Sequence, residues 1–227
     1  MSPYWLAVAW LPYETDQRRL VRHCRFRNSE LLFGARQAAG ELWRDFPVAE
    51  LELTLKGFEV DAFDWESYLL VSRRLREAMA LGPAEVQYLE VDDSASIPEV
   101  RARGYQILNI VAQESVADPK ASDYDLGRLT PDSPEMVLRV GGIALRPDAQ
   151  ADHELFRDRL FLGFQFASDA LAMRVLRAGC TGLRFFDPAR FDFGPGVPYR
   201  TLRGVEREVV RDALGEVIEP ELIEAIH

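Results

Sequence analysis

Hydrophobic and polar positions change period several times along this chain, and each change marks an element. Tyr4 to Leu11 is an apolar run that predicts a strand. No basic stretch precedes it, and Glu14 and Asp16 follow at once, so it reads as a strand and not as a signal peptide. A polar, arginine-rich connection leads to a predicted helix over Leu31 to Trp43. There Leu31, Leu32, Ala35, Ala38, Ala39, Leu42 and Trp43 recur near the 3.6-residue period, and Pro47 ends the pattern. Val48 to Leu55 alternates strictly, which predicts a half-buried strand with one wet face, closed by Lys56-Gly57.

The next segment carries a unit that returns. Asp61 to Val71 leads into a predicted helix with Ser72 as N-cap, Leu75 and Met79 as the apolar stripe and Gly82 as a left-handed stop; a strand over Val86 to Val91 follows. At 96 residues' remove the same order recurs: Ser168 as cap, Leu171 three residues on, an apolar helix, Gly179, and a strand over Gly182 to Phe186. A period of that length is too long for a solenoid and predicts two related subdomains. Between the copies, Gly104 to Ala112 reads as a buried strand and Gln113 to Pro134 as an acidic, turn-rich segment. Val137 to Leu145 reads as a strand broken at Gly141-Gly142, and Glu154 to Leu162 fits a short helix or an extended stretch. After Asp187-Pro188, the glycines and prolines of Phe191 to Tyr199 mark an irregular loop. A helical tail follows, with Val205, Val209, Val210, Ala213 and Leu214 on one face, and Pro220 to His227 forms a short amphipathic end.

The expected fold class is therefore α+β, with two related helix–strand units (66–91 and 162–187) contributing to one or two mixed sheets. They lie in a main domain over 48–190, joined by an N-terminal strand and helix region (1–47) and a loop and helical tail (191–227) packed on it.

Composition adds a partner class. With 227 residues, 48% hydrophobic and 28% charged, the chain has material for a sizeable core. The formal net charge is −10, and it is unevenly placed: 7 bases face 5 acids in residues 1–46, 7 face 16 in 47–125, and 13 face 16 in 126–227. Such a balance argues against a nucleic-acid binder, which needs a basic footprint for phosphates, and favours a basic protein partner. Acidic residues also serve simply as solvated faces. No stretch approaches the roughly 20 apolar residues of a membrane span, so the expected location is the cytoplasm. The two cysteines, Cys24 and Cys180, form no CxxC pair and are expected reduced and buried.

Candidate chemistry is sparse. His23 beside Cys24 imitates a thiol–base pair, but adjacent strand residues point to opposite faces. His153-Glu154 has no second histidine at helical spacing, and His227 is terminal. Asp61, Asp64 and Glu66, with Trp65 among them, precede a helix, where negative charge suits the helix dipole. Asp118, Asp123 and Asp125 are spaced i, i+5, i+7 but lack the EF-hand pattern and its closing Glu. No dinucleotide fingerprint, phosphate loop or nucleophile elbow is present, and no metal or cofactor is expected. A carboxylate-based or metal-dependent hydrolase remains an alternative, and it requires several of Asp61, Asp64, Asp92, Asp93, Asp118, Asp123 and Asp125 to converge in a deep pocket. A scaffold or assembly protein is a third reading, and a homodimer is compatible with any of them.

One set of motifs points further. Phe166-Ala-Ser168-Asp169-Ala-Leu171, then Ala178-Gly179-Cys-Thr181-Gly182-Leu183-Arg184-Phe185, together with Tyr105-Gln-Ile-Leu-Asn109 and Val116-Ala-Asp118, resemble the bacterial immunity proteins that accompany polymorphic toxins. These form the domain-of-unknown-function 1629 group, or immunity 11 family. The resemblance spans residues 68–187, and Gly104-Tyr105 stands where the pattern usually has Tyr-Tyr. It implies a non-enzymatic protein that binds a cognate toxin and blocks it. The acidic middle of the chain would suit a cationic toxin. The contact residues this suggests are Asp61, Asp64, Trp65, Glu66, Asp92, Asp93, Asp118, Asp123, Tyr124 and Asp125, with Trp65 and Tyr124 as aromatic anchors; a core role for Trp65 fits equally well.

Overall fold

The structure is a computed structural model and describes residues 4–9, 21–35, 38–55, 61–128, 130 and 135–188. The expected helical tail and glycine–proline loop lie outside the described residues. The first half contains β1 (Tyr4–Ala9), β2 (Val21–Phe26), α1 (Ser29–Ala35), β3 (Ala49–Leu55), β4 (Ala62–Trp65), β5 (Tyr68–Val71), α2 (Arg73–Met79), β6 (Val86–Leu89) and β7 (Val91–Asp92). The second contains α3 (Pro98–Arg103), β8 (Gln106–Ile110), β9 (Gln113–Glu114), β10 (Asp123–Gly127), β11 (Met136–Gly142), β12 (Leu155–Asp158), β13 (Gln165–Ser168), α4 (Asp169–Arg177) and β14 (Leu183–Phe186). The fold class is α+β, as the alternation of periods predicts.

The two related units have one topology. One sheet has the order β4-β5-β8-β6, and the other contains β12-β13-β1-β14, extended by β9. In each, an antiparallel hairpin (β4–β5, β12–β13) feeds a helix (α2, α4) and then a strand (β6, β14). The strands on either side of each helix leave a gap between them, filled antiparallel by β8 in one sheet and by β1 in the other. The serine caps match: Ser72 Oγ accepts from the Leu75 amide at 3.2 Å and Ser168 Oγ from the Leu171 amide at 3.1 Å.

The stops differ from expectation in the first copy. Ala80, not Gly82, is left-handed (φ 50), because the helix ends on its last core residue, Met79, and the Ala80 amide bonds the Arg76 carbonyl. In the second copy Gly179 is left-handed as expected (φ 63). Gly182 has a separate reason: at φ 87 its α-carbon faces the Ala62 carbonyl oxygen so closely that no β-carbon fits.

Strand alternation divides the apolar side chains among three cores. Leu69 and Val71 of β5 join Leu108, Leu75, Met79, Leu171, Val175 and Phe185 in a central core shared by both helices and both sheets. Tyr68 and Leu70 point the other way, toward the β2-β3-β7 sheet, where Phe26, Leu51, Leu53 and Trp43 cover them. Leu6, Phe156, Phe166 and Phe186 form the third core, on the far face of the second sheet, roofed by Ile143, Phe161 and the inner side of the β10–β11 hairpin.

Several elements depart from the predicted pattern. Val21–Phe26 is a strand and not a connection: Cys24 and Phe26 are buried on either side of exposed Arg25. Of the helix expected to Trp43, Ser29–Ala35 is helical and 38–43 is irregular; only Leu32 is buried on the helix, Phe33 is 79% exposed, and Trp43 reaches the core from the irregular segment. The strand expected over 86–91 divides into β6 and β7, which join different sheets. The acidic 113–134 segment holds β9 and β10, α3 begins on Pro98, and the 154–162 ambiguity resolves to the strand β12. Strands of the expected N-terminal region pair with the main domain, β1 between β13 and β14 and β2 with β3.

Candidate functional site

Where the two units meet, each grips the other in the same way. Asp61, ahead of β4, accepts from Ser72 Oγ at 2.7 Å, and its carbonyl takes the Ser72 amide. Glu154, ahead of β12, takes the Ser168 amide through its carbonyl. Arg74 lies 3.7 Å from the Asp61 carboxylate and donates to the Ala178 and Gly179 carbonyls at the end of α4. Arg174 pairs with Glu154 at 2.7 Å and donates to the Met79 carbonyl at the end of α2. The loops after the helices complete the exchange. Thr181 binds the Asp61 and Ala62 amides through its carbonyl, and Glu85 Oε1 binds the Glu154 and Leu155 amides. Guanidinium groups at helix C-termini meet unsatisfied carbonyls and the negative end of the dipole.

Asp61 therefore belongs to the interior, at 1% exposure. Its Oδ2 also accepts the Thr181 amide at 2.9 Å. As a helix-start charge it serves the α2 cap, as its position predicts, but it presents nothing to a partner.

The other nominated residues fall into three separate places. Asp64, Trp65 and Glu66 are at the β4–β5 turn, where Glu66 and Ser67 have φ of 50 and 67. Asp64 and Glu66 are exposed, and half-buried Trp65 packs on the β2–β3 side core, with its indole Nε1 buried and unpartnered. Asp92 ends β7 and Asp93 follows it; Asp92 accepts the Ser94 amide at 2.9 Å. Asp118, Asp123, Tyr124 and Asp125 lead into and form β10. Asp118 closes its own turn by accepting the Lys120 amide, and Tyr124 meets Phe161 edge-to-face at 5.3 Å. The seven acids from which a hydrolase would draw its site are thus dispersed over four places in the fold. Among the described residues no group of three or more His, Cys, Asp or Glu could hold a metal.

Electrostatics agree with dispersal. Asp92 and Asp125 are held below the ordinary carboxylate range, by the Ser94 amide and by Arg139 respectively, while burial raises Asp93. The thiols are inert: burial pushes Cys24 up to about 12 and Cys180 to about 11, so neither forms a thiolate near neutral pH. A shallow open depression lined by Gly40, Glu41, Leu42, Arg44, Pro83, Ala84 and Val111 contains none of the nominated acids.

Asp64 is the exception. Its side chain meets solvent on one side and is crowded by protein on the others, which pushes its carboxyl up to about 6 against the pull of Arg157. Between the unfolded value of 3.8 and about 6 the folded state holds a proton that the unfolded chain has lost. Stability therefore falls as pH rises through this window. Asp64→Asn is expected to stabilise the protein at pH 7, by less than about 1 kcal/mol because the group is solvent-screened. Denaturant melts at pH 4 and pH 7 check this; a variant less stable than the parent at pH 7 contradicts it.

The β10–β11 hairpin has a feature that sequence reasoning missed. Among the described residues seven large hydrophobic side chains are exposed, and three of them, Leu126 (49%), Met136 (45%) and Leu138 (50%), are here. Leu31, Phe33, Leu42 and Val48 are the others. On the same hairpin, Arg139 bridges two exposed carboxylates, Asp125 at 2.5 Å and Asp123 at 3.0 Å. The register shifts between Asp125 and Leu126, a bulge that strengthens the local twist. In sequence, Met136 to Val140 looks like any apolar strand, and only the third dimension leaves part of it uncovered.

Residues 35–190, more than half of the chain, match the family model of the immunity protein family Imm11, and no match is found among curated proteins. The matched span contains all three motif segments at 105–109, 116–118 and 166–185.

Proposed function

The chain belongs to the Imm11 immunity protein family, and from that premise we propose that it binds a cognate basic toxin in the cytoplasm and neutralises it by contact, without catalysing a reaction. The observation carrying the charge assignment is the 16 acids against 7 bases in residues 47–125. Asp64, Glu66, Asp92, Asp123 and Asp125 of that stretch are exposed. Dispersed, solvated carboxylates supply a field over a surface, which speeds encounter with a cationic partner and disfavours acidic ones. The same dispersal argues against carboxylate catalysis, which needs acids brought together with raised pKa values.

Co-expression with a toxin candidate, sought among the genes next to this chain's own, tests neutralisation. Growth is expected to be rescued and the two proteins to co-purify; intact toxicity with no complex refutes the reading. The charge of the partner is tested separately. The association rate is expected to fall on the order of 10-fold between low salt and about 0.5 M salt. A salt-independent rate removes the basic-toxin assignment while leaving neutralisation in place.

A further inference from the structure

The outward face of the β10–β11 hairpin combines features that no other described surface brings together. Met136 and Leu138 are each close to half exposed, and Leu138 directly precedes Arg139 of the Asp123–Arg139–Asp125 cluster; Leu126, also half exposed, pairs with Val137 and lies on the other face. Two carboxylates share one guanidinium, so the cluster keeps a net negative charge while its side chains are held in place. Exposure of the two acids is high, 66% and 61%. The apolar half is also held: Leu138 Cδ1 would lie 2.5 Å from a β-carbon on Gly127, so it fills the space the glycine leaves. Asp123 similarly lies across Gly141. The inner face, through Tyr124, Val137 and Val140, rests on the third core. The outcome is a rigidly backed strand pair with an aliphatic centre and an acidic flank.

We infer that this face is the toxin contact, and that it receives an apolar patch flanked by lysine or arginine on the cationic partner; the inference rests on the immunity reading above. Three arguments select it. Its charge complements a basic partner, whereas Leu31 and Phe33 of α1 follow Arg25 of β2 and Arg27, two guanidinium groups that share the single carboxylate of Glu52. The hairpin lies wholly within the matched span, whereas Leu31 and Phe33 lie outside it. Fixed side chains lose little entropy on docking, the condition under which a few exposed aliphatics become anchors while neighbouring charges set register and rate.

The test measures binding of the purified chain to a catalytically inactive variant of the toxin found by co-expression, by calorimetry and by stopped-flow association. Leu138→Asp and Met136→Asp are each expected to weaken binding by about 30-fold or more through faster dissociation. Asp123→Lys with Asp125→Lys is expected to slow association and flatten its salt dependence. Leu31→Asp with Phe33→Asp, on α1, is expected to leave binding within about 2-fold of the parent. Circular dichroism melts establish that each variant is folded. All substituted side chains are exposed, so folding is expected to survive. Parental affinity in both aliphatic hairpin variants, or loss confined to the α1 pair, overturns the hairpin assignment while leaving neutralisation intact. No binding by the parent chain overturns both.

Discussion

A chain beginning at residue 35, where the family match starts, is expected not to fold. Such a truncation removes β1, which stands between β13 and β14 as an inner strand of the second sheet, with Leu6 opposite Phe166 on one side and Phe186 on the other. Both hydrogen-bond ladders go with it, and the edges of β13 and β14 face an open slot one strand wide. Tyr4, Leu6 and Ala7 leave the interior, and Tyr4 Oη no longer accepts the Ala151 amide at 2.7 Å. Losing β2 as well uncovers Leu51 and Leu53 of β3. Removing one buried leucine costs about 2–5 kcal/mol, and whole domains are stable by about 5–15 kcal/mol, so the sum exceeds what the remainder can supply. The expected result is a chain with no cooperative thermal transition and no protected amides in β13 or β14. A cooperative melt and a dispersed amide spectrum from residues 35–190 would overturn this. Leu6→Asp in the full chain is a sharper version, since it leaves every other residue in place and is expected to destabilise by more than about 3 kcal/mol.

How much of this was legible follows from sequence separation. The caps and helices of the two units could be read because Ser72 and Leu75, like Ser168 and Leu171, act over three residues, and their likeness drew the two units together. The topology behind the likeness could not be read. The strand completing the first sheet, β8, follows its unit closely, whereas the strand completing the second, β1, precedes its unit by more than 150 residues, and no local pattern announces a partner so distant. The strand β2 was hidden for another reason: Arg22, His23 and Arg25 interrupt its apolar residues, and a six-residue segment of this composition resembles a polar connection. The candidate surface was half visible. Asp123, Tyr124 and Asp125 were found as acids beside an aromatic. Leu126, Met136 and Leu138 were not, because hydrophobicity in a strand predicts burial, and exposure is decided by what the rest of the fold leaves uncovered.

Asp61 shows the opposite error, and removing it is expected to have the second large effect. Charge in a sequence reads as surface, yet this carboxylate is enclosed by groups from both units: Ser72 Oγ at 2.7 Å, the Thr181 amide at 2.9 Å and the Arg74 guanidinium at 3.7 Å. Thr181 lies 120 residues away, so nothing near Asp61 in sequence foretells its burial. Asp61→Ala strands the Thr181 amide and the Ser72 hydroxyl in the interior and leaves Arg74 without its carboxylate. Breaking one side of a buried charged cluster costs about 3–5 kcal/mol, which is expected to appear as a large fall in the denaturation midpoint. Glu154→Ala, at the related position of the other unit, is expected to cost less, because its pair with Arg174 is more than one-third exposed. Toxin binding separates the two kinds of acid. Under conditions where Asp61→Ala remains folded, its affinity is expected to equal the parent's, since the residue touches only the interior. A folded Asp61→Ala variant with weakened binding and unchanged stability would return Asp61 to the contact surface and contradict the enclosure argued from its partners.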